Sequence, residues 1–453
     1  VVFHKTCCGF TSGKLRRYFR RMKFTARLSW VVLLGLISHG PAIGQEQSVI
    51  DSESLQWNET HGVLHSKKRT EPPLRVRLGN ENIREIYEAC SRAPIAVVAN
   101  ATSVIGEGLE GSPVHLVDTL LAMGIEVKKV FAPEHGFRGD LHNGADFDDS
   151  VDAKTGLPIL SLHGKSKKPS PESLADVRMV LFDVQDVGTR FYTYLSSLFL
   201  VMEAAAENEK VVVVLDRPNP NGHQMAGPIL DMQWKSFVAM LPLPVMHGMT
   251  LGEMAQMING EGWLAEGRHC DLIVIPCEGY AHSDRWFPTI APSPNLPNAA
   301  SIALYPSLCP LEPTHASIGR GTDLPFQCVG VPGNSGGDFT FTPMPMPGAA
   351  PHPKNEGIVC RGRNLRELGL DWSRAEFGFD WKLVWEMSQS WGIEHEEEFI
   401  TSREFLSKLC GTEALGKALS QKAWPAEMPS TWRDGLITFQ NQRAPYLLYP
   451  LLR

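Results

Sequence analysis

Val130-Phe131-Ala132-Pro133-Glu134-His135-Gly136-Phe137-Arg138-Gly139-Asp140 passes abruptly from apolar to charged, and the chain is organised around it. The apolar run stops at a proline, a glutamate and a histidine follow at once, and two glycines let the backbone turn sharply around them. If Val127–Ala132 is a buried strand, Glu134 and His135 emerge at its carboxyl end, the edge where open α/β sheets bind ligands. Working outward, Ile95–Asn100, Pro158–Leu162, Met179–Val184, Val211–Leu215 and Leu272–Ile275 are short apolar runs without polar alternation, as strands buried on both faces require. Helical spacing separates them, in Ile83–Cys90, in Val114–Met123 behind a Ser112-Pro113 cap, along Leu195, Leu198, Phe199, Met202 and Ala205, and after the capping box Thr250–Glu253. The alternation predicts an α/β fold, with a Rossmann-like N-terminal domain built on a parallel sheet.

The chain has 453 residues, 43% hydrophobic and 21% charged, with a formal charge of −7. Residues 1–44 hold eight of the 43 basic residues and none of the 50 acidic ones, so the rest balances 35 against 50, a charge of −15. An acidic body does not bind nucleic acid through phosphate contacts. Basic residues, the apolar run Leu28–Ile37 and the small residues Ala42-Ile43-Gly44 read as a secretory leader over 1–44, which predicts export to the periplasm or beyond and no stable membrane insertion after its removal. Residues 45–73 are polar and aperiodic and read as a flexible tether. A boundary at about residue 299, after a proline-rich stretch, separates a catalytic domain over 74–298 from a smaller α+β auxiliary domain over 299–453. Seven cysteines follow the leader without a close CxxC pair, and Cys309 with Cys328 is the first disulfide to test.

Three successive strands end in polar clusters. Glu134 is the candidate acid or base, and His135 binds substrate or orients it. Asp183, Gln185, Asp186 and Arg190 follow the strand at Met179, with Arg190 either gripping a substrate carboxylate or pairing with Asp186. Tyr192 and Tyr194 either stack on a sugar or pack. Asp216, Arg217 and Asn219 form a third cluster and His247 a fourth. Gly106, Gly108 and Gly111 spell G-x-G-x-x-G, but they do not follow the first strand directly, and Glu107 and Glu110 would repel a pyrophosphate, so no nucleotide cofactor is expected. The acidic and histidine side chains show no tight metal spacing, so no metal is assigned, and a metal-dependent hydrolase stays an alternative.

Several longer motifs are similar to the exo-β-N-acetylmuramidase family of the NamZ type. They are Pro133–Gly139, Asp183–Tyr194, Leu215–Pro220, His247–Thr250, Pro292–Asn295 and the closing Pro445–Tyr449. The resemblance runs from about residue 80 to the end. It implies a bacterial peptidoglycan-recycling glycosidase that releases N-acetylmuramic acid from non-reducing ends of cell-wall fragments. It also implies a cleft between a Rossmann-like domain and a C-terminal auxiliary domain, no metal or nucleotide, and Glu134 as the essential carboxylate. Asn295, Glu312 and Arg320 fall in its motifs and join the substrate-binding candidates. One segment departs from the family pattern E-G-T-N-x-S-E-G-R-G-T: Glu312–Thr322 has His315 in place of Asn and Ile318 in place of Glu, and the stretch 330–353 also differs. Those changes leave a non-catalytic cell-wall sugar-binding protein as a further alternative. As partner for Glu134, Asp186, Asp183 and Glu312 all stay open, and so do retaining, inverting and acetamido-assisted routes. Arg190 and Arg320 are the candidate readers of the lactyl carboxylate, with Arg320 favoured for its flanking glycines.

Overall fold

The six apolar runs form the centre of one seven-stranded sheet. A computed structural model describes residues 55–66, 75–106, 113–139 and 149–452. In chain order its strands are β1 (Leu55–Asn58), β2 (Val63–Ser66), β3 (Ile95–Ala99), β4 (Val104–Ile105), β5 (Val114–His115), β6 (Val127–Ala132), β7 (Ser150–Val151), β8 (Pro158–Ser161), β9 (Met179–Asp183), β10 (Val211–Leu215), β11 (Gln224–Ala226) and β12 (Asp271–Ile275). The large sheet has the order β12-β10-β9-β3-β6-β8-β7, parallel except for the edge pair β7–β8. The first of its strands, β3, is central; the chain builds outward to β6 and β8, then returns to β9, β10 and β12 on the other side. That reversal is the topological switch of a Rossmann-like sheet.

Both faces are covered, which is why the strands lack alternation. On one face Ile95, Val97, Val130, Leu181 and Val213 pack on α1 (Ile83–Cys90) and α2 (Leu116–Ala122) through Ile86, Leu116 and Leu120. On the other, Ala96, Val98, Phe131, Val180, Phe182 and Val212 pack on α3 (Tyr194–Glu207) and α4 (Leu251–Gly260) through Leu198, Met202, Met254 and Ile258. Each Val, Leu, Ile, Met or Phe side chain among them contributes about 1.5–3 kcal/mol on burial. The Thr250–Glu253 capping box forms as read. The cap of α2 differs: the side chain of His115 takes it, accepting from the Val117 amide at 3.3 Å, because Val114 and His115 first pair as β5.

The tether reading does not hold where the structure describes it. Residues 55–66 form the hairpin β1–β2, and β2 pairs antiparallel with β11. Val63 is fully buried in the main core, so the segment has an apolar anchor that its polar composition hid. The leader 1–44, like Gly108 and Gly111, lies outside the described residues.

The C-terminal part starts with α5 (Ala299–Leu308), holds the antiparallel sheet β13-β15-β14 (Cys328–Pro332, Phe339–Phe341 and Cys360–Asn364, numbered in chain order) and continues with helices. The core does not divide at residue 299, since Phe182 and Tyr192 share one apolar cluster with Leu304, Phe326 and Trp381. All seven cysteines after the leader are buried and free, so the proposed Cys309–Cys328 disulfide is absent.

Candidate functional site

The backbone at the end of β6 explains how Glu134 is aimed. His135 adopts φ 74° and Gly136 φ 79°, so two consecutive residues sit in the left-handed region. Glycine does this freely; for His135 it costs on the order of 1 kcal/mol, a strain retained where the side chain must point one way. Three tyrosine- and threonine-based contacts then fix the turn. Thr193 stands at the N-cap of α3 but leaves the helix uncapped, its hydroxyl donating to Glu134 Oε2 at 2.8 Å. Tyr194 donates to the Glu134 carbonyl at 3.2 Å and accepts from Asn100 Nδ2 at 2.8 Å.

Glu134 opens into a cleft of about 360 Å³ whose walls come from both parts of the chain. His135, His163, Tyr192 and Thr193 line the N-terminal side, Asn295 the connection, and Tyr305, Glu312, Arg320 and Phe326 the C-terminal side. Arg320 donates from Nε to Glu312 Oε1 at 2.9 Å and pairs with it through Nη2 at 2.7 Å, with its guanidinium 4.9 Å from the centre of the Phe326 ring. Glu312 and Glu134 are the only carboxylates lining the cleft among the described residues. Burial pushes His135 down to about 4, the nearby Glu134 charge only partly offsetting it, so its ring is neutral at pH 7.

Several buried polar atoms on these walls lack any protein partner: His135 Nδ1, His163 Nδ1, Asn295 Oδ1 and Arg320 Nη1. Buried polar groups are normally paired, and a cluster of unpaired ones around one cleft is what a polar ligand would satisfy. A guanidinium edge suits a carboxylate, an amide oxygen suits an N–H or O–H, and an imidazole nitrogen suits a hydroxyl.

The remaining candidates do not line the cleft. Asp183 lies wholly inside, held by Arg217 Nε at 2.6 Å and Asn80 Nδ2 at 3.1 Å, while Arg217 Nη2 donates to the Thr102 carbonyl at 2.8 Å. This network occupies the crevice between β3 and β9, so the open cleft has shifted to the ends of β6 and β8. Asp186 accepts from the Gly188 amide at 2.6 Å, and burial raises its carboxyl to about 7. Gln185 donates to the Asp186 and Pro218 carbonyls. Arg190 pairs with neither Asp186 nor the cleft: it is fully buried and donates to the carbonyls of Pro228, Leu243 and Leu409. A strand-end arginine followed by a helix gave no sign that carbonyls alone would surround it.

Asp216 receives Thr250 Oγ1, the Tyr449 hydroxyl and the Gly252 amide, anchoring the start of α4. Asn219 closes its own turn through the Asn221 amide and donates to the Met249 carbonyl. His247 has no exposed surface and accepts from the Met249 amide. Tyr194 packs edge-on behind Tyr192, whose hydroxyl donates to Pro292. His163, Thr193, Tyr305 and Phe326 were missed. The carboxyl-end rule applied to β8 would have found His163; Tyr305 and Phe326 had no comparable signal. His315, one of the departing positions, stacks on Trp391 at 4.5 Å away from the cleft lining. Among the described residues no group of three or more His, Cys, Asp or Glu side chains converges to hold an ion, and no helix is long and apolar enough to cross a membrane.

Comparison with known proteins gives concordant matches. The family description "Exo-beta-N-acetylmuramidase NamZ, N-terminal" matches residues 95–300, and its C-terminal counterpart matches 303–449. A relative from Bacillus subtilis (strain 168), described as peptidoglycan beta-N-acetylmuramidase NamZ, is 32% identical over 403 residues, covering 85% of this chain and 94% of its own. Two crystal structures of DUF1343 family proteins from Bacteroides fragilis NCTC 9343 are also similar. One is 40% identical with a TM-score of 0.74, covering 83% of this chain and 99% of its own. The other is 25% identical with a TM-score of 0.69, covering 83% and 100%.

Proposed function

The chain belongs to the exo-β-N-acetylmuramidase NamZ family, and on that premise we propose that it releases N-acetylmuramic acid from the non-reducing ends of peptidoglycan fragments, with Glu134 as the catalytic carboxyl. One observation supports this reading above the others: of the five carboxylates singled out from the sequence, Glu134 and Glu312 alone line the cleft, one from each part of the chain. In this reading Glu134 gives its proton to the leaving glycosidic oxygen as the bond to the anomeric carbon breaks. Glu312, paired with Arg320, is the partner that receives a proton from the incoming water or steadies the positive charge on the sugar. Water supplies the hydroxyl at the anomeric carbon. The unpaired Arg320 Nη1 suits the lactyl carboxylate that distinguishes this sugar, and the unpaired Asn295 Oδ1 suits its acetamido N–H. The basic and apolar opening segment supports action outside the cytoplasm.

Glu134→Gln keeps the size and the Thr193 hydrogen bond but cannot deliver a proton. Release of a chromogenic β-N-acetylmuramide should fall by about 10²–10⁴ in kcat with KM little changed. A variant within about threefold of wild type would move the acid role elsewhere, and a wild type that binds the sugar without releasing it would favour a pure binding protein.

A further inference from the structure

Thr193 forgoes the role that its position assigns it. It stands just before α3, where a threonine ordinarily has extended backbone and turns its side-chain oxygen over the amides of the first turn. Here φ is −69° and ψ −10°, already helical, and no side-chain cap forms. The hydroxyl instead donates to Glu134 Oε2 at 2.8 Å, across 59 residues of sequence, from a half-buried place on the cleft wall. We propose that Thr193 is a positioning residue for the acid step, fixing the direction in which Glu134 presents its proton. This role rests on the muramidase reading, with Glu134 as the acid.

A glutamate acid needs such a partner because its last side-chain torsion is broad and roughly two-fold, so the rotamer alone does not fix the plane of the carboxyl. One hydrogen bond from a rigid donor does. In the neutral carboxyl Oε2 accepts from Thr193, and the proton is carried on the other oxygen. As the glycosidic bond breaks, that proton moves to the leaving oxygen, which keeps the electron pair of the broken bond and departs as a neutral alcohol. Thr193 neither gives nor takes a proton in this step; it acts through Glu134.

The donor is rigid because α3 is. The Thr193 carbonyl accepts from the Ser197 amide at 2.9 Å and from the Ser197 hydroxyl at 3.2 Å. Tyr194, Leu195 and Leu198, which follow, are buried in the main core. Tyr194 also donates to the Glu134 carbonyl at 3.2 Å, so adjacent residues at one helix start hold the main chain and the side chain of Glu134. An acid held from a packed helix is preorganised for a single direction of transfer.

The test sets kcat for the disaccharide N-acetylmuramyl-β-1,4-N-acetylglucosamine, whose leaving alcohol needs a proton, against kcat for 4-nitrophenyl β-N-acetylmuramide, whose phenolate leaves with little help. Thr193→Val keeps the branched shape and removes the donor. The disaccharide kcat should fall by about 10- to 100-fold and the nitrophenyl kcat by less than about threefold, with KM within about threefold for both. Thr193→Ser restores a hydroxyl and should return the disaccharide kcat to within about threefold of wild type. A merely structural role would slow both substrates alike. Equal losses on both, no loss beyond about twofold on either, a raised KM in place of a lowered kcat, or a Thr193→Ser variant as slow as Thr193→Val would each overturn the proposal. Thr193→Ala is the second donor-free variant, and if neither it nor Thr193→Val folds, the hydroxyl is structural and the proposal falls. Glu134→Gln separates the two readings. If it slows the disaccharide far more than the nitrophenyl substrate, Glu134 is the acid and the Thr193 variants alone decide the positioning role. If it slows neither, or wild type is inactive on both, the reading of Glu134 as acid falls, and the positioning role with it.

Discussion

Arg320→Lys isolates how the lactyl carboxylate is read. The guanidinium spends Nε and Nη2 on Glu312, at 2.9 and 2.7 Å, which leaves Nη1 without a protein partner. A lysine keeps the charge but has one donor point, so it can hold Glu312 or a substrate carboxylate but not both in fixed geometry. Losing one hydrogen bond to a charged group is worth about 1.5–3 kcal/mol, or roughly 10- to 150-fold in kcat/KM. The assay is release of the same chromophore from a β-N-acetylmuramide and from the matching glucosaminide, which lacks the lactyl ether. The muramide should lose that factor while the glucosaminide, however slow, changes little. Arg190→Lys is the contrast: its three carbonyl partners lie in the interior, so the variant should lose about 2–4 kcal/mol of stability and keep its substrate ratio. Equal loss on both sugars in Arg320→Lys, or a changed ratio in Arg190→Lys, would refute the assignment.

Three further outcomes follow from the same contacts. His247 is held neutral, burial first and then Arg443 pushing it down to about 3, so the unfolded chain binds a proton that the folded one refuses; stability should fall as pH drops from about 6.5 toward 3, by up to about 1.4 kcal/mol per pH unit, and His247→Gln should flatten that slope in denaturant titrations. Tyr449→Phe removes a hydroxyl that donates to Asp216 at 2.6 Å and accepts the Cys277 amide at 2.9 Å, and should lower the unfolding free energy by about 2–4 kcal/mol with kcat unchanged in the folded enzyme. Muramide hydrolysis should be unaffected by a chelator, whereas loss with EDTA and return with zinc or manganese would revive the metal-dependent alternative.

What the sequence revealed was local. Strands such as Met179–Asp183 and Val211–Leu215 announce themselves because burial on both faces forces an unbroken apolar run, and the Thr250–Glu253 box because its two hydrogen bonds lie three residues apart. Glu134 was legible for the same reason, as a carboxyl at the end of one such run. What misled was the equal weight given to every polar cluster at a strand end. Asp183, Asp186, Asp216 and Arg190 carry the same residue types as a site, yet each finds its partners inside the protein, and pairing at long range leaves no trace in spacing.

The hairpin at 55–66 failed for a related reason, since its anchor strand β11 lies more than a hundred residues away and only Val63 and Leu64 among its residues are apolar and deeply buried. The second carboxylate of the cleft is the clearest case. Glu312 belongs to the other half of the chain and reaches the cleft only because α5 and the turn after it share a core with the sheet's tyrosine-bearing face, through Tyr192, Tyr305 and Phe326. A site divided between two folding halves becomes visible only when both halves are packed. Aromatic contacts that read as mere core thus help set which carboxylates line one cleft: Tyr305 packs on Tyr192 and Phe326 and lines the cleft with them.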